Sequence, residues 1–121
     1  MNLPISPYAW AGDTLYIGGI APLEKGEVLF PGDLKKQFLL VMDKLRSILT
    51  ENNMDLNSLV MVNVFLADMR MFDSFNEYYT QEMAQPWPPR KLVEAKMSRK
   101  EVTIEMAAIA YREKEKTNEN Y

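Results

Sequence analysis

Three prolines surround a tryptophan in the stretch Pro86-Trp87-Pro88-Pro89-Arg90. Each proline lacks a backbone N–H donor and its ring clashes with the preceding turn, so this stretch cannot lie inside a helix. It must therefore end the preceding helix and start an extended segment. At the end of such a stiff turn, the Arg90 guanidinium could bind a carboxylate or a phosphate through two parallel hydrogen bonds. A surface arginine beside a turn fits the same residues.

Two amphipathic helices are predicted before that turn. Asp33 is a good N-cap for the first, in which apolar residues recur at steps of three and four until about Asn52. Asp68 is the predicted N-cap of the second helix. Asn76 borders the apolar stripe of this second helix and is otherwise a surface amide. The residues of that stripe are Phe72, Phe75, Tyr79 and Met83.

The remaining apolar runs predict a sheet. Residues 59–66 are nearly all apolar, which is typical of a central strand covered on both faces. Further strands are predicted at residues 15–21, 92–97 and 102–111, after an extended lead-in over residues 1–13. Two helices on one face of a mixed sheet make a single α+β domain. A homo-oligomer would cover the second face of the sheet.

Two strand positions are candidates for a functional role. The pair Gly18-Gly19, late in its strand, indicates a bulge or the close approach of a ligand, or else a simple kink at the strand end. Glu105 alternates onto a face with small or apolar neighbours. It is therefore either half-exposed or directed into an enclosed pocket or a subunit interface. Burial would raise its pKa and prepare it for proton transfer.

The composition excludes several classes of active site. The chain has 121 residues, 47% of them hydrophobic, with no histidine and no cysteine. A Ser-His-Asp triad, a cysteine nucleophile and a zinc site of nitrogen and sulfur ligands are therefore excluded, and no metal site is expected. Acid–base chemistry near pH 7 must come from carboxylates, lysine, tyrosine, backbone groups or water.

Composition also bears on partners and location. The net charge of −3 argues against a general nucleic-acid-binding surface. No apolar run approaches the roughly 20 residues of a membrane span, and the first residues lack a signal-peptide pattern, so a cytoplasmic protein without a membrane partner is expected. Residues 113–121 are almost wholly charged or polar and are expected to form a disordered tail after a domain of residues 1–112.

Several short motifs follow one another in a specific order and spacing. They are Ser6-Pro7-Tyr8, residues 15–23 (LYIGGIAPL), Gly32-Asp33 before a long helix, residues 62–69 (VNVFLADM), residues 75–79 (FNEYY), Pro88-Pro89-Arg90 and residues 104–110 (IEMAAIA). No single motif is specific, but together they make residues 6–112 resemble the RidA (YjgF) family of reactive intermediate deaminases.

The resemblance implies a chorismate-mutase-like fold and a homotrimer with three clefts between subunits. It also implies an enamine/imine deaminase that hydrolyses intermediates of the 2-iminobutanoate and 2-iminopropanoate type, released by pyridoxal-phosphate enzymes, to 2-keto acids and ammonia. Small 2-imino and 2-keto carboxylates are the implied ligands, and no cofactor is needed.

The same resemblance suggests roles for individual residues. Arg90 matches the arginine that binds the substrate carboxylate, and Glu105 matches the glutamate that holds and activates the hydrolytic water. The pocket-lining positions of the family are matched by Tyr8, Gly19 and Asn76, and Leu92 stands where backbone groups face the ligand. Hydrolysis of an imine needs the carboxylate of the substrate held in a fixed position and a second carboxylate that accepts a proton from water. Arg90 would hold the first, and Glu105 would be the second.

Some positions depart from the family pattern. Gly18-Gly19-Ile20 replaces the common Ser-Gly-Gln, Leu92 replaces a frequent cysteine, and Ala107 replaces a second glutamate. These changes are expected to make the pocket more apolar, which suits a larger apolar imino acid. Two other functions stay open: a non-catalytic trimeric module that binds small carboxylates, and an endoribonuclease or translation inhibitor. The acidic balance and the lack of a basic stripe disfavour the last.

Overall fold

A five-stranded mixed sheet forms the centre of the computed structural model, which describes residues 3–113. The strands are β1 (Tyr8–Ala11), β2 (Thr14–Ile20), β3 (Leu23–Glu24), β4 (Glu27–Val28), β5 (Leu59–Leu66), β6 (Arg90–Glu94) and β7 (Ile104–Tyr111), and the helices are α1 (Leu34–Glu51) and α2 (Phe72–Glu82). The sheet order is β1-β2-β7-β5-β6, and β3 and β4 form a separate hairpin. β5 and β6 run parallel, whereas the other neighbours in the large sheet are antiparallel.

The helix prediction is confirmed for α1 and is wrong by one turn for α2. Asp33 caps α1 by accepting a hydrogen bond from the backbone N–H of Lys36, and Asn52 follows the last turn. Asp68 instead accepts from the N–H of Arg70 and caps a single 3₁₀ turn, after which α2 begins at Phe72. An aspartate that bonds the N–H two residues ahead forms a tight turn of its own, which delays the helix.

The strands predicted in the large sheet are present, but their first and last residues differ from the predicted ones. The predicted extended lead-in contains β1, which pairs with β2 across Gly12-Asp13, a strand that was not predicted there. A four-residue edge strand after two prolines gives too short a pattern to recognise. β6 covers residues 90–94 rather than 92–97, because it ends where its partner β5 ends. β7 keeps the predicted alternation but begins at Ile104.

The hydrophobic core lies between the helices and one face of the sheet, which we call the helix face. Its fully buried members include Phe38, Met42, Leu45, Phe75, Leu15, Val62, Leu66, Ile104 and Met106. On the opposite or open face lie Tyr16, Phe65, Ala107, Ile109 and Tyr111. Tyr16 is 50% exposed and Tyr111 is 45% exposed. The single chain therefore covers β5 on one face, whereas the apolar run predicted cover on both.

A buried glutamine joins α1 to two loops and to the start of β7. Gln37 is 0% exposed. Its Nε2 lies 3.0 Å from the carbonyl oxygens of Leu29, Phe30 and Glu101, while its Oε1 accepts from the N–H and the hydroxyl of Thr103. Phe30 and Glu101 have φ angles of +49° and +67°. Both loops thus hold a residue in an unfavourable backbone conformation, and Gln37 bonds to both.

Replacing Gln37 with leucine should lower the free energy of unfolding by about 3 kcal/mol, because it leaves several buried polar groups without partners. Urea unfolding should show a lower midpoint with an unchanged slope. The matched control is Gln81→Leu, at an exposed position of α2, which should change stability by less than about 0.5 kcal/mol. Equal effects of both substitutions would contradict a structural role for the Gln37 hydrogen bonds.

Two further predictions concern the chain as a whole. Within residues 3–113, no helix is long and apolar enough to cross a membrane. Apart from Glu113, the predicted tail lies outside the described residues. The domain boundary at residue 112 and the cytoplasmic location stay predictions.

Candidate functional site

Arg90 is the first residue of β6, and its guanidinium lies on the helix face against α2. The guanidinium carbon is 4.9 Å from the ring centroid of Tyr79 and 5.6 Å from that of Phe75. Nη1 donates a hydrogen bond of 2.8 Å to Oδ1 of Asn76. We call these four residues the Arg90 cluster. The sequence did not decide whether Asn76 is a plain surface amide or part of the site. The structure makes it a direct hydrogen-bond partner of Arg90.

The local sequence explains why these residues meet. α2 is the crossover between the parallel strands β5 and β6, so its inner face lies over the edge of the sheet. Residues 75, 76 and 79 are spaced to share one side of the helix. The proline turn brings the chain back to β5, where the N–H of Val62 donates to the carbonyl of Pro89. Arg90 follows directly and is fixed in register opposite Val62.

A cavity of about 250 Å³ adjoins the guanidinium, lined by Tyr79, Thr80, Trp87, Pro88 and Arg90. Burial raises the pKa of the Tyr79 hydroxyl, and the nearby positive charge of Arg90 partly offsets this. The tyrosine is therefore neutral near pH 7. A larger cavity of about 500 Å³ lies between the first turns of the two helices, but none of the predicted site residues lines it.

Glu105 lies on the open face, near the start of β7. It pairs with Phe65 of β5. Gly19 lies beside it, in a bulge where the register of β2 shifts between Ile17 and Ile20. A Cβ atom at Gly19 would be 3.3 Å from Oε1 of Glu105, so the glycine makes room for the carboxylate. Burial raises the pKa of the Glu105 carboxyl. Of the alternatives that the sequence left open for Gly18-Gly19, the bulge is confirmed, and the close approach of a ligand stays a prediction.

The other predicted residues have no recorded contact with Arg90 or Glu105. Tyr8 begins β1, at the edge of the sheet opposite β6, about 19 Å away at the usual strand spacing. Leu92 shares the face of Arg90, and its side chain packs against the core. Ile20 is also a core residue. Both side chains face the helices, as that of Arg90 does, and the expectation that they make the pocket more apolar stays a prediction.

Arg90 and Glu105 are not brought together within one chain. The side chain of Arg90 lies on the helix face of β6, and that of Glu105 lies on the open face of β7, with β5 between the two strands. The structure thus contains two separate groups: the Arg90 cluster, and the Glu105 pair formed by Glu105 and Gly19. One presents a cation fixed beside a cavity, and the other presents a partly buried carboxylate.

Sequence reasoning missed the contact of Phe75 and Tyr79 with Arg90, because it assigned both rings to the core stripe. A usable signal was present. Phe75 and Tyr79 flank Asn76 at helical spacing, and a tight turn after the helix leads to Arg90. This order favours a contact between the two rings and the guanidinium. Within residues 3–113, no group of three or more acidic, histidine or cysteine side chains could hold a metal ion.

Comparison with known proteins gives consistent relatives. The family described as endoribonuclease L-PSP matches residues 3–112. A RutC family protein of Pyrococcus abyssi is 38% identical over an alignment that covers 91% of this chain and 90% of that protein. The 3-aminoacrylate deaminase RutC of Acinetobacter baylyi is 27% identical, with 89% of each chain covered.

Solved structures agree with the architecture described above. The crystal structure of RidA from the Antarctic bacterium Psychrobacter superposes with a TM-score of 0.82 at 27% sequence identity, covering 90% of this chain and 89% of that one. The predicted α+β fold, a mixed sheet with two helices on one face, is confirmed by this likeness and by the observed topology.

Proposed function

Because this chain belongs to the endoribonuclease L-PSP family, which it shares with the RidA and RutC proteins, we propose that it is an enamine/imine deaminase. Its reaction is the hydrolysis of 2-imino acids, of the 2-iminobutanoate and 2-iminopropanoate type, to 2-keto acids and ammonia. The observation that carries this proposal is the guanidinium of Arg90, held by a hydrogen bond and two aromatic rings beside a cavity.

Arg90 binds the substrate carboxylate. A guanidinium has five N–H donors in a rigid fork, and Asn76 takes one of them. Among residues 3–113, no carboxylate forms a salt bridge with Arg90, so donors remain for a bidentate bond to an incoming anion. A pinned carboxylate fixes the position of the neighbouring imine carbon, which removes much of the entropic barrier to attack by water.

Glu105 acts as the general base. Starting from the protonated imine, water adds to C2, the nitrogen takes the electron pair of the C=N bond, and Glu105 accepts a proton from the water. Glu105 then returns this proton to the nitrogen. The C–N bond breaks, ammonia leaves, and the hydroxyl proton passes to Glu105, and from there to solvent, as the keto group forms.

The site is completed by a neighbouring subunit. Arg90 and Glu105 lie on opposite faces of the sheet, so the Arg90 cluster of one chain must meet the Glu105 pair of another for both to contact one substrate. The open face, with its exposed Tyr16 and Tyr111, is an apolar surface suited to such an interface. A homotrimer with three clefts between subunits satisfies both requirements. Tyr8, at the sheet edge farthest from β6, reaches the Arg90 cluster only from a neighbouring chain.

The proposal is tested by adding the purified protein to a pyridoxal-phosphate-dependent threonine dehydratase and following keto-acid release. An increased rate is expected, since the free imine otherwise hydrolyses unaided. No increase with imines derived from several amino acids would overturn the proposal. Binding of 2-ketobutyrate without hydrolysis would favour the carboxylate-binding module instead, and RNA cleavage that Arg90→Ala abolishes would favour the endoribonuclease.

The pH dependence of kcat/KM gives a separate prediction. Burial raises the pKa of Glu105, and the general base must be ionised, so activity should fall with decreasing pH at values above those of an ordinary glutamate. Glu105→Gln should lower kcat by about a hundredfold or more and remove this acidic limb. The exposed Glu77→Gln on α2 is the control and should leave the profile unchanged. An acidic limb that persists in Glu105→Gln would assign the base to another group.

A further inference from the structure

We propose that the ring of Tyr79 is a positioning element that holds the Arg90 guanidinium in the orientation needed to bind a carboxylate. This inference rests on the proposed function, because it concerns how the same arginine is prepared for its ligand. The ring acts through Arg90 and does not contact the reacting atoms, so Tyr79 is a positioning residue.

The first observation is the geometry of the contact. The guanidinium carbon lies 4.9 Å from the Tyr79 ring centroid, closer than to Phe75 at 5.6 Å. Both distances are within the range of an attractive cation–π interaction, which strengthens where the cation is partly shielded from water. Arg90 is half-buried. The two rings therefore restrain the guanidinium, while the bond to Asn76 fixes its rotation.

The second observation is that the ring itself cannot move freely. Tyr79 is 5% exposed, and its ring packs against Phe75 at 5.4 Å and Phe38 at 6.5 Å between centroids. Phe38 and Phe75 meet edge to face at 5.3 Å. Three packed rings from both helices thus form a rigid support for the guanidinium. A long arginine side chain on an exposed strand edge would otherwise sample many rotamers.

The third observation concerns the hydroxyl of Tyr79. This atom is buried and has no hydrogen-bond partner among the described residues. A hydroxyl that held Arg90 or a neighbouring group in place would show such a bond. The ring, rather than the hydroxyl, is therefore the part of Tyr79 that orients the arginine, and phenylalanine should replace it.

The experiment compares three variants. Tyr79→Leu removes the ring, and Tyr79→Phe removes the hydroxyl alone. Tyr78→Leu is the matched control, because Tyr78 is the adjacent tyrosine of α2 and stacks with a different cation, Lys35, at 5.7 Å. Thermal unfolding checks that each variant folds. In the ligand-free protein, isotope-edited NMR measures the order of the Arg90 Nε–H group and the ring-current shift of its proton. Calorimetry then measures the affinity for 2-ketobutyrate.

We expect Tyr79→Leu to lose the ring-current shift and the order of Arg90, and to bind 2-ketobutyrate about tenfold more weakly. Tyr79→Phe and Tyr78→Leu should match the original protein in both measurements. An unchanged Arg90 signal in folded Tyr79→Leu, or an equal loss in Tyr79→Phe or Tyr78→Leu, would overturn the inference. If the original protein binds no keto acid, the proposed function fails, and the ligand-free NMR comparison still decides whether Tyr79 orders Arg90.

Discussion

Replacing Arg90 with alanine is expected to lower kcat/KM for imine hydrolysis by about two to three orders of magnitude. The substitution removes the only group we assign to the substrate carboxylate, and losing one partner of a shielded charge pair typically has an effect of this size. Arg90→Lys should lose less, about ten- to a hundredfold. It keeps the charge, but it loses the fork geometry and the stacking on Tyr79 and Phe75.

The control for this prediction is a second arginine that stacks on an aromatic ring. The guanidinium carbon of Arg112 lies 4.1 Å from the ring of Trp10, at the start of the sheet and far from β6. Arg112→Ala should leave kcat/KM within about twofold, since surface changes away from a site rarely matter. Activity that survives in Arg90→Ala, with both variants folded and assembled, would remove Arg90 from the mechanism.

Mixing two inactive variants is expected to restore activity. If Arg90 comes from one subunit and Glu105 from its neighbour, trimers that contain both Arg90→Ala and Glu105→Gln chains will form some clefts with both original residues. For random assembly in equal amounts around a three-fold axis, about one quarter of the clefts are intact. Co-expressing the two variants with different affinity tags and purifying through both tags enriches mixed trimers. Each mixed trimer has one intact cleft out of three, so the keto-acid release of the purified mixed trimers should be about one third of that of the original protein.

The mixed assembly separates two arrangements of the site. If Arg90 and Glu105 of the same chain served one substrate, no mixed cleft would contain both, and activity would stay at the level of the single variants. That outcome would contradict a site shared between subunits, which we inferred because Arg90 and Glu105 lie on opposite faces of the sheet. In the control, two Arg90→Ala chains with different tags are co-expressed and purified through both tags. These trimers should stay inactive.

Much of the fold could be predicted because its signals are local. Asp33 and Asn52 delimit α1 through short-range caps, and the alternation of β7 follows from its own residues. β1 was missed because its pairing with β2 depends on a partner strand rather than on its own four residues. The end of β6 was misplaced for the same reason, since β5 determines where the pairing stops.

The site was harder to predict than the fold. The chemistry of Arg90 and Glu105 follows from residue type and position, and the resemblance to a family matched them to roles. Their placement on opposite faces does not follow from the sequence, because five residues of β6 give too short a pattern to show which face Arg90 occupies. The aromatic spacing around Asn76 was a local signal for the stacking of Arg90 on Tyr79, but the contact forms only because the α2 crossover lies over the sheet, which is a tertiary property.

The order of the strands has a consequence for biosynthesis. β7 is the last strand along the chain, yet it lies between β2 and β5 and joins the two halves of the sheet. During translation, β2 and β5 therefore each have an unpaired edge until residues 104–111 leave the ribosome. This holds for the hairpin of β1 and β2 and for the later unit of β5, α2 and β6. Open edges attract other strands. Nascent chains on one messenger are thus most prone to aggregate before β7, the strand that also carries Glu105, has left the ribosome.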